Sequence, residues 1–327
     1  MIDFRYHLVS IVAIFLALAV GIVLGTTLLE EPAVRSAQEM TAQLTKTKEE
    51  LRVEIDTLQG RQAGNDAFID SATPELVAGE LTGQRVLLIE TPGSGTAVRE
   101  SAEKVLDQAG AEISGRVTLT EKFLDPKGVG VLDGLVNQLK PVNMIFPPTA
   151  TSWGRASTLL ASALVTTDPA QAGTPNAAAG DVLSTFEAGG LLSVEGEPGD
   201  RATLAVMIAP ERPYEGESAE VQAGALVSVA DGFDAAGRGT VVAGLVPPVA
   251  MPGDVIAALR DESEVSKRVS TVDIADMPLG RVVMVYSLRE QLAGHAGQYG
   301  VGPGASAPMP APAATPSPTP TTSDSGS

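Results

Sequence analysis

Residues 8–29 form an uncharged run, apolar at nearly every position and followed at once by Glu30 and Glu31. At roughly 1.5 Å per residue, such a run is long enough to cross a hydrocarbon core of roughly 30 Å. It predicts an uncleaved signal anchor. The competing reading is a cleaved signal peptide, whose apolar region runs to roughly 7–15 residues and ends at an A-x-A-like site. Here the run is longer, and Leu24-Gly25-Thr26-Thr27 lacks the small residue at the first position of that site. Arg5 precedes the run and the next clustered cations, Lys46, Lys48 and Arg52, lie far downstream. Residues 1–7 are therefore expected to be a cytoplasmic stub of a single-pass cell-membrane protein, with the bulk of the chain extracytoplasmic.

A heptad pattern follows. Ala37, Leu44, Leu51 and Leu58 are seven apart and occupy d positions, while Val34, Thr41, Lys48 and Ile55 occupy a positions. This predicts a coiled-coil helix over residues 30–73, whose seam includes Ala37, Leu44, Leu51, Ile55 and Leu58. Lys48 at an a position weakens a coil but fixes its register. Within the membrane run, Ala13, Ala17, Gly21 and Gly25 recur every four residues, the spacing that lets two helices approach closely in lipid. Together the patterns predict a homodimer; the alternative is an amphipathic helix docked on its own domain. Gly60 and Gly64 weaken the helix, and Pro74 is expected to end it.

Residues 80–300 change to short apolar runs alternating with amphipathic stretches. Strands are expected at residues 85–90 (RVLLIE), 142–146, 204–208 and 240–246, and helices at 97–109, 156–165, 181–186, 220–233 and 254–260. The alternation predicts an extracytoplasmic α/β domain, a parallel sheet covered by helices on both faces to give three layers. Residues 301–327 are rich in Pro, Ala, Ser and Thr and read as a disordered tail.

Composition removes several function classes. With 22 basic and 40 acidic residues the net charge is −18, which repels nucleic-acid phosphates. The chain has no Cys, hence no disulfide, no thiolate nucleophile and no Cys-based metal site. No HExxH or nucleophile elbow occurs, and only His7 and His295 are present, so no catalytic residue is assigned and the chain reads as a non-enzyme. The turn at residues 91–96 (TPGSGT) lies between a strand and a helix, where amides could hold an anion, but it completes neither a Walker A nor a GxGxxG motif and reads foremost as a plain loop. The eight Met form no M-x-x-M or M-x-M cluster, and Met144, Met207 and Met284 sit in apolar runs as core residues. No metal ligand set and no resident cofactor is read from these residues.

The opening MIDFRYHLVS, residues 110–123 (GAEISGRVTLTEKF) and residues 294–302 (GHAGQYGVG) resemble, in the same order, the actinobacterial MctB family. The likeness extends over residues 1–302. It implies a role in copper transport and copper homeostasis in the cell envelope, with copper as the metal handled and an outer-membrane location for some members. It also implies an alternative, since the family includes proteins of cell separation that affect peptidoglycan hydrolysis through membrane-associated protein partners. No catalytic residue carries over. A single apolar helix cannot form a pore, so any copper function is expected to work through assembly or another protein.

Overall fold

A computed structural model describes residues 3–247 and 251–311, with backbone alone for residues 3, 26–34 and 37. The chain divides into two units, Met1–Asn65 and Asp66–Ser327.

The first unit is helix throughout its described length, part of α1 (Asp3–Val77). Its apolar window, Phe4–Gly25, has 22 residues and a mean hydropathy of 2.9. Beyond it, Thr45 and Thr57 hydroxyls donate to the carbonyls of Thr41 and Val53, four residues back. Gly60 and Gly64 lower helix propensity without interrupting the helix.

The second unit opens with the last turns of α1, which pass Pro74 and end at Val77, three residues later than the proline signal suggests. The missing proline N–H costs one rung. Packing offsets that loss: Val77 and Leu81 are fully buried, and the Thr73 hydroxyl donates to the Ile69 carbonyl.

Seven strands follow: β1 (Arg85–Glu90), β2 (Glu112–Leu119), β3 (Leu192–Gly196), β4 (Leu204–Ile208), β5 (Thr240–Ala243), β6 (Ser270–Val272) and β7 (Gln298–Tyr299). They form one sheet in the order β3-β2-β1-β4-β5-β6-β7, parallel except for the edge strand β3, which runs antiparallel to β2. Strand periodicity sends alternate residues to opposite faces. On one face Leu87, Ile89, Ala205, Met207 and Val242 pack under α4 (Val129–Leu139), α5 (Ser152–Leu164), α6 (Ala179–Ala188), α7 (Ala219–Ala236) and α8 (Val255–Asp261). On the other, Val86, Leu88, Leu204, Val206, Ile208, Val241 and Ala243 pack under α2 (Thr96–Gln108), α9 (Pro278–Leu292) and the end of α1. The four-residue α3 (Glu121–Leu124) joins β2 to the first of these layers. The fold is thus the expected mixed α/β sheet with both faces covered.

Three expectations need correction. Residues 142–146 form a turn and loop, with Val142 and Ile145 almost fully exposed, because Pro141, Pro147 and Pro148 bracket the run and cannot donate to a ladder. The strand expected at residues 240–246 ends at Ala243; Leu245 makes a single antiparallel bridge to Ile274. Residues 301–311, assigned by composition to the tail, are folded: the Gly300 N–H donates to the Ala307 carbonyl at 3.1 Å, and Tyr299 bridges Ala307 in parallel. Residues 312–327 lie outside the described residues.

Candidate functional site

In an open parallel sheet, ligands bind where the strand order reverses, beyond the strands' carboxyl ends. Here that point lies between β1 and β4, and the chain's own side chains fill it. The Thr91 hydroxyl donates to the Ile208 carbonyl at 2.8 Å, and the Tyr214 hydroxyl to the Pro92 carbonyl at 2.9 Å. Burial raises the Tyr214 pKa, keeping the phenol a neutral donor. The Glu211 side chain lies over Gly95 so closely that a Cβ there would meet its Oε1 at 1.8 Å. A carboxylate therefore stands beside the first turn of α2, where a phosphate would have to sit. The residue 91–96 turn is a closed βα loop.

The nearby charges are also satisfied within the chain. Arg99 on α2 reaches Glu90 at 3.1 Å and Glu103 at 3.0 Å, and Arg116 on β2 reaches Glu103 at 3.3 Å and pairs with Glu195 on β3. Thr118 donates to Glu90 at 2.8 Å. The Arg116 guanidinium holds the exposed Glu195 carboxyl below its ordinary range. This network ties α2 to three strands.

A second polar centre is buried. Arg260 on α8 is 5% exposed and Asp273, just after β6, is 2% exposed, with 2.8 Å between Nη1 and Oδ2. Arg260 also donates to the Thr271 hydroxyl and to the carbonyls of Tyr299 and Pro303, at 2.9–3.0 Å. Asp273 accepts from the Val301 and Gly302 N–H groups, each at 2.9 Å. Gly300, at φ +128°, brings the backbone so close that a Cβ would meet Asp273 Oδ1 at 1.8 Å. The Gly-rich segment at residues 294–302 is thus wound around a buried ion pair and serves the fold.

A cleft of about 720 Å³ between α7 and α8 is lined by five carboxylates, Glu220, Asp231, Asp254, Asp261 and Glu262, together with Met251. It attracts cations electrostatically. Among the described residues no group of three His, Cys, Asp or Glu is arranged to hold a metal. The soft donors are scattered: Met207 and Met284 are buried in the core, Met144 packs against it, and His7 and His295 are exposed.

Beside the cleft, Asp231 and Asp234 face Arg268 at 2.5 and 3.5 Å. Burial raises the Asp234 carboxyl from 3.8 to about 6, against the opposing pull of Arg268. A folded-state pKa above the unfolded one favours folding most below the unfolded pKa, and this contribution is lost as pH rises through about 6. Asp234→Asn should accordingly gain stability over wild type on going from pH 4 to pH 8, by at most about 3 kcal/mol. Urea midpoints at the two pH values measure it; an unchanged difference would refute the assignment.

The residues singled out by pattern all lie on α1. Ala13, Ala17 and Gly21 are exposed and Gly25 is half-buried. Leu44, Leu51, Ile55 and Leu58 are 50–64% exposed, and the side chain of Ala37 lies outside the described residues. Sequence reasoning missed Arg260 and Asp273, whose one signal was the cluster of glycines that wraps them.

Residues 1–310 match the family described as "Copper transport outer membrane protein, MctB". The chain is 27% identical over 314 residues to the copper transporter MctB of Mycobacterium tuberculosis (strain ATCC 25618 / H37Rv), covering 92% of this chain and 97% of that one. The same identity and shares hold over 315 residues for the copper transporter MctB of Mycobacterium leprae (strain TN). Residues 110–123 hold β2 and most of α3, and residues 294–302 form the strap around Asp273. With a match spanning its apolar helix, its long polar helix and its α/β unit, the chain belongs to the MctB family of copper transport proteins.

Proposed function

We propose that this chain is a membrane-anchored envelope protein that serves copper transport and homeostasis as a paired element of an assembly, without conducting copper through its own span. The observation that carries the copper role is the family match over residues 1–310. The fold supports this mode of action. A protein pore through an outer membrane requires a closed barrel, because an open sheet edge leaves backbone groups unsatisfied in lipid. The sheet here is open, mostly parallel and covered by helices, so the segment suited to the bilayer is the helix at Phe4–Gly25. One such helix has no lumen. The exposed apolar seam of α1 supports association with a second copy.

The same seam favours a second reading, an interaction module that regulates cell separation and peptidoglycan hydrolysis through protein partners. Cell-associated copper in a deletion strain across graded external copper separates the two. The copper reading expects accumulation to change and the intact gene to restore it; unchanged copper with a division defect would replace it by the second.

A further inference from the structure

We infer that two copies pair along one heptad stripe of α1, and that within the membrane-length run this stripe is Val9, Ala13, Leu16, Val20, Val23 and Thr27, with Gly21 and Gly25 turned away from it. The inference rests on the paired reading above and specifies its interface. Because α1 is one helix from Asp3 to Val77, the register of the exposed seam carries back toward the N-terminus. Stepping by sevens from Leu44 at d passes Ala37 and the charged Glu30 and reaches Val23, Leu16 and Val9; stepping from Ile55 at a passes Lys48, Thr41 and Val34 and reaches Thr27, Val20 and Ala13. Ala17 then falls at e, Gly21 at b and Gly25 at f. Pro32 removes one rung without ending the helix.

The two patterns diverge for a geometric reason. At 3.6 residues per turn, a four-residue step runs about 40° past a full turn, while a seven-residue step falls about 20° short of two turns. The small-residue stripe and the heptad seam therefore drift in opposite senses. The first suits a right-handed crossing and the second a left-handed supercoil. One unbroken pair cannot follow both.

Energetics select the seam. Leu44, Leu51, Ile55 and Leu58 are 50–64% exposed in the single chain, so a partner helix would remove large apolar surface from water. In lipid the small stripe offers packing alone, with no hydrophobic driving force. A second copy fits because both copies start from the same membrane run, which aligns them parallel and sets a against a and d against d.

The chain contains no Cys, so single cysteines report contacts without background. Full-length variants in membranes, oxidised with diamide, should form disulfide dimers at Leu51→Cys, Leu16→Cys and Val20→Cys. Gly21→Cys, Gly25→Cys and the outer-face Val53→Cys should give at least about fivefold less, since a disulfide needs Cα atoms within roughly 7 Å. Stronger cross-linking at Gly21 or Gly25 than at Leu16, with Leu51 still cross-linking, would overturn the inference and leave pairing intact. Failure at Leu51 as well would overturn the paired reading and this interface with it.

Discussion

Arg260→Ala should destabilise the α/β unit by roughly 3–5 kcal/mol, the range expected when one partner of a buried ion pair is removed. Its guanidinium holds Asp273 at 2.8 Å and also satisfies the carbonyls of Tyr299 and Pro303. Truncation strands a carboxylate that is 2% exposed and retains only the backbone donors of Val301 and Gly302. The short edge strand β7 loses its fastening at the same time. Trp153 is the sole tryptophan, its Nε1 donating to the Phe123 carbonyl at 2.8 Å, so its fluorescence follows urea unfolding of this unit in the detergent-solubilised chain. The Arg260→Ala, Asp273→Ala double variant should lose less than the sum of the two singles, because each single already carries the penalty of the orphaned partner. Strict additivity, or a single-variant loss under about 1 kcal/mol, would show that the pair does not fasten the strap.

Replacing Leu44, Leu51 and Leu58 together with Asp should abolish pairing while leaving the α/β unit as stable as before. The three side chains are 64%, 52% and 55% exposed in the single chain, so their replacement removes no internal packing. In a paired coil each would lose about 1.5–3 kcal/mol of burial, which together is ample to dissociate the coil. Cross-linked dimer on gels should disappear, and the Trp153 unfolding midpoint should not move. A lowered midpoint with dimer retained would instead indicate a helix docked on its own domain.

How much was legible depended on burial. β1 and β4 read directly as RVLLIE and LAVMI because a central parallel strand is covered on both faces and becomes a continuous apolar run. β2 escaped because Arg116 and Thr118 interrupt its apolar pattern to join the charge network around Glu90 and Glu103. α9 escaped for the opposite reason: RVVMVYSL is rich in β-branched residues, yet Pro278 in its first turn and burial of Val282, Val283, Met284 and Val285 make it a core helix. The apolar residues at 142–146 looked like a strand, although only Met144 and Phe146 pack against the core. Arg260 and Asp273 lie 13 residues apart on separate elements, and no local pattern announces that they meet. The helix of α1 was readable because its apolar run and heptad pattern repeat along one element, whereas the Arg260–Asp273 clamp depends on tertiary structure.

The most direct test of the account is cell-associated copper in a deletion strain carrying either the intact gene or the Leu44, Leu51 and Leu58→Asp variant, with membrane levels of the two proteins matched. The intact gene should restore normal copper across graded external concentrations, and the variant should fail. Equal restoration by both would contradict a paired mode of action, and copper indifferent to the gene would contradict the copper role itself.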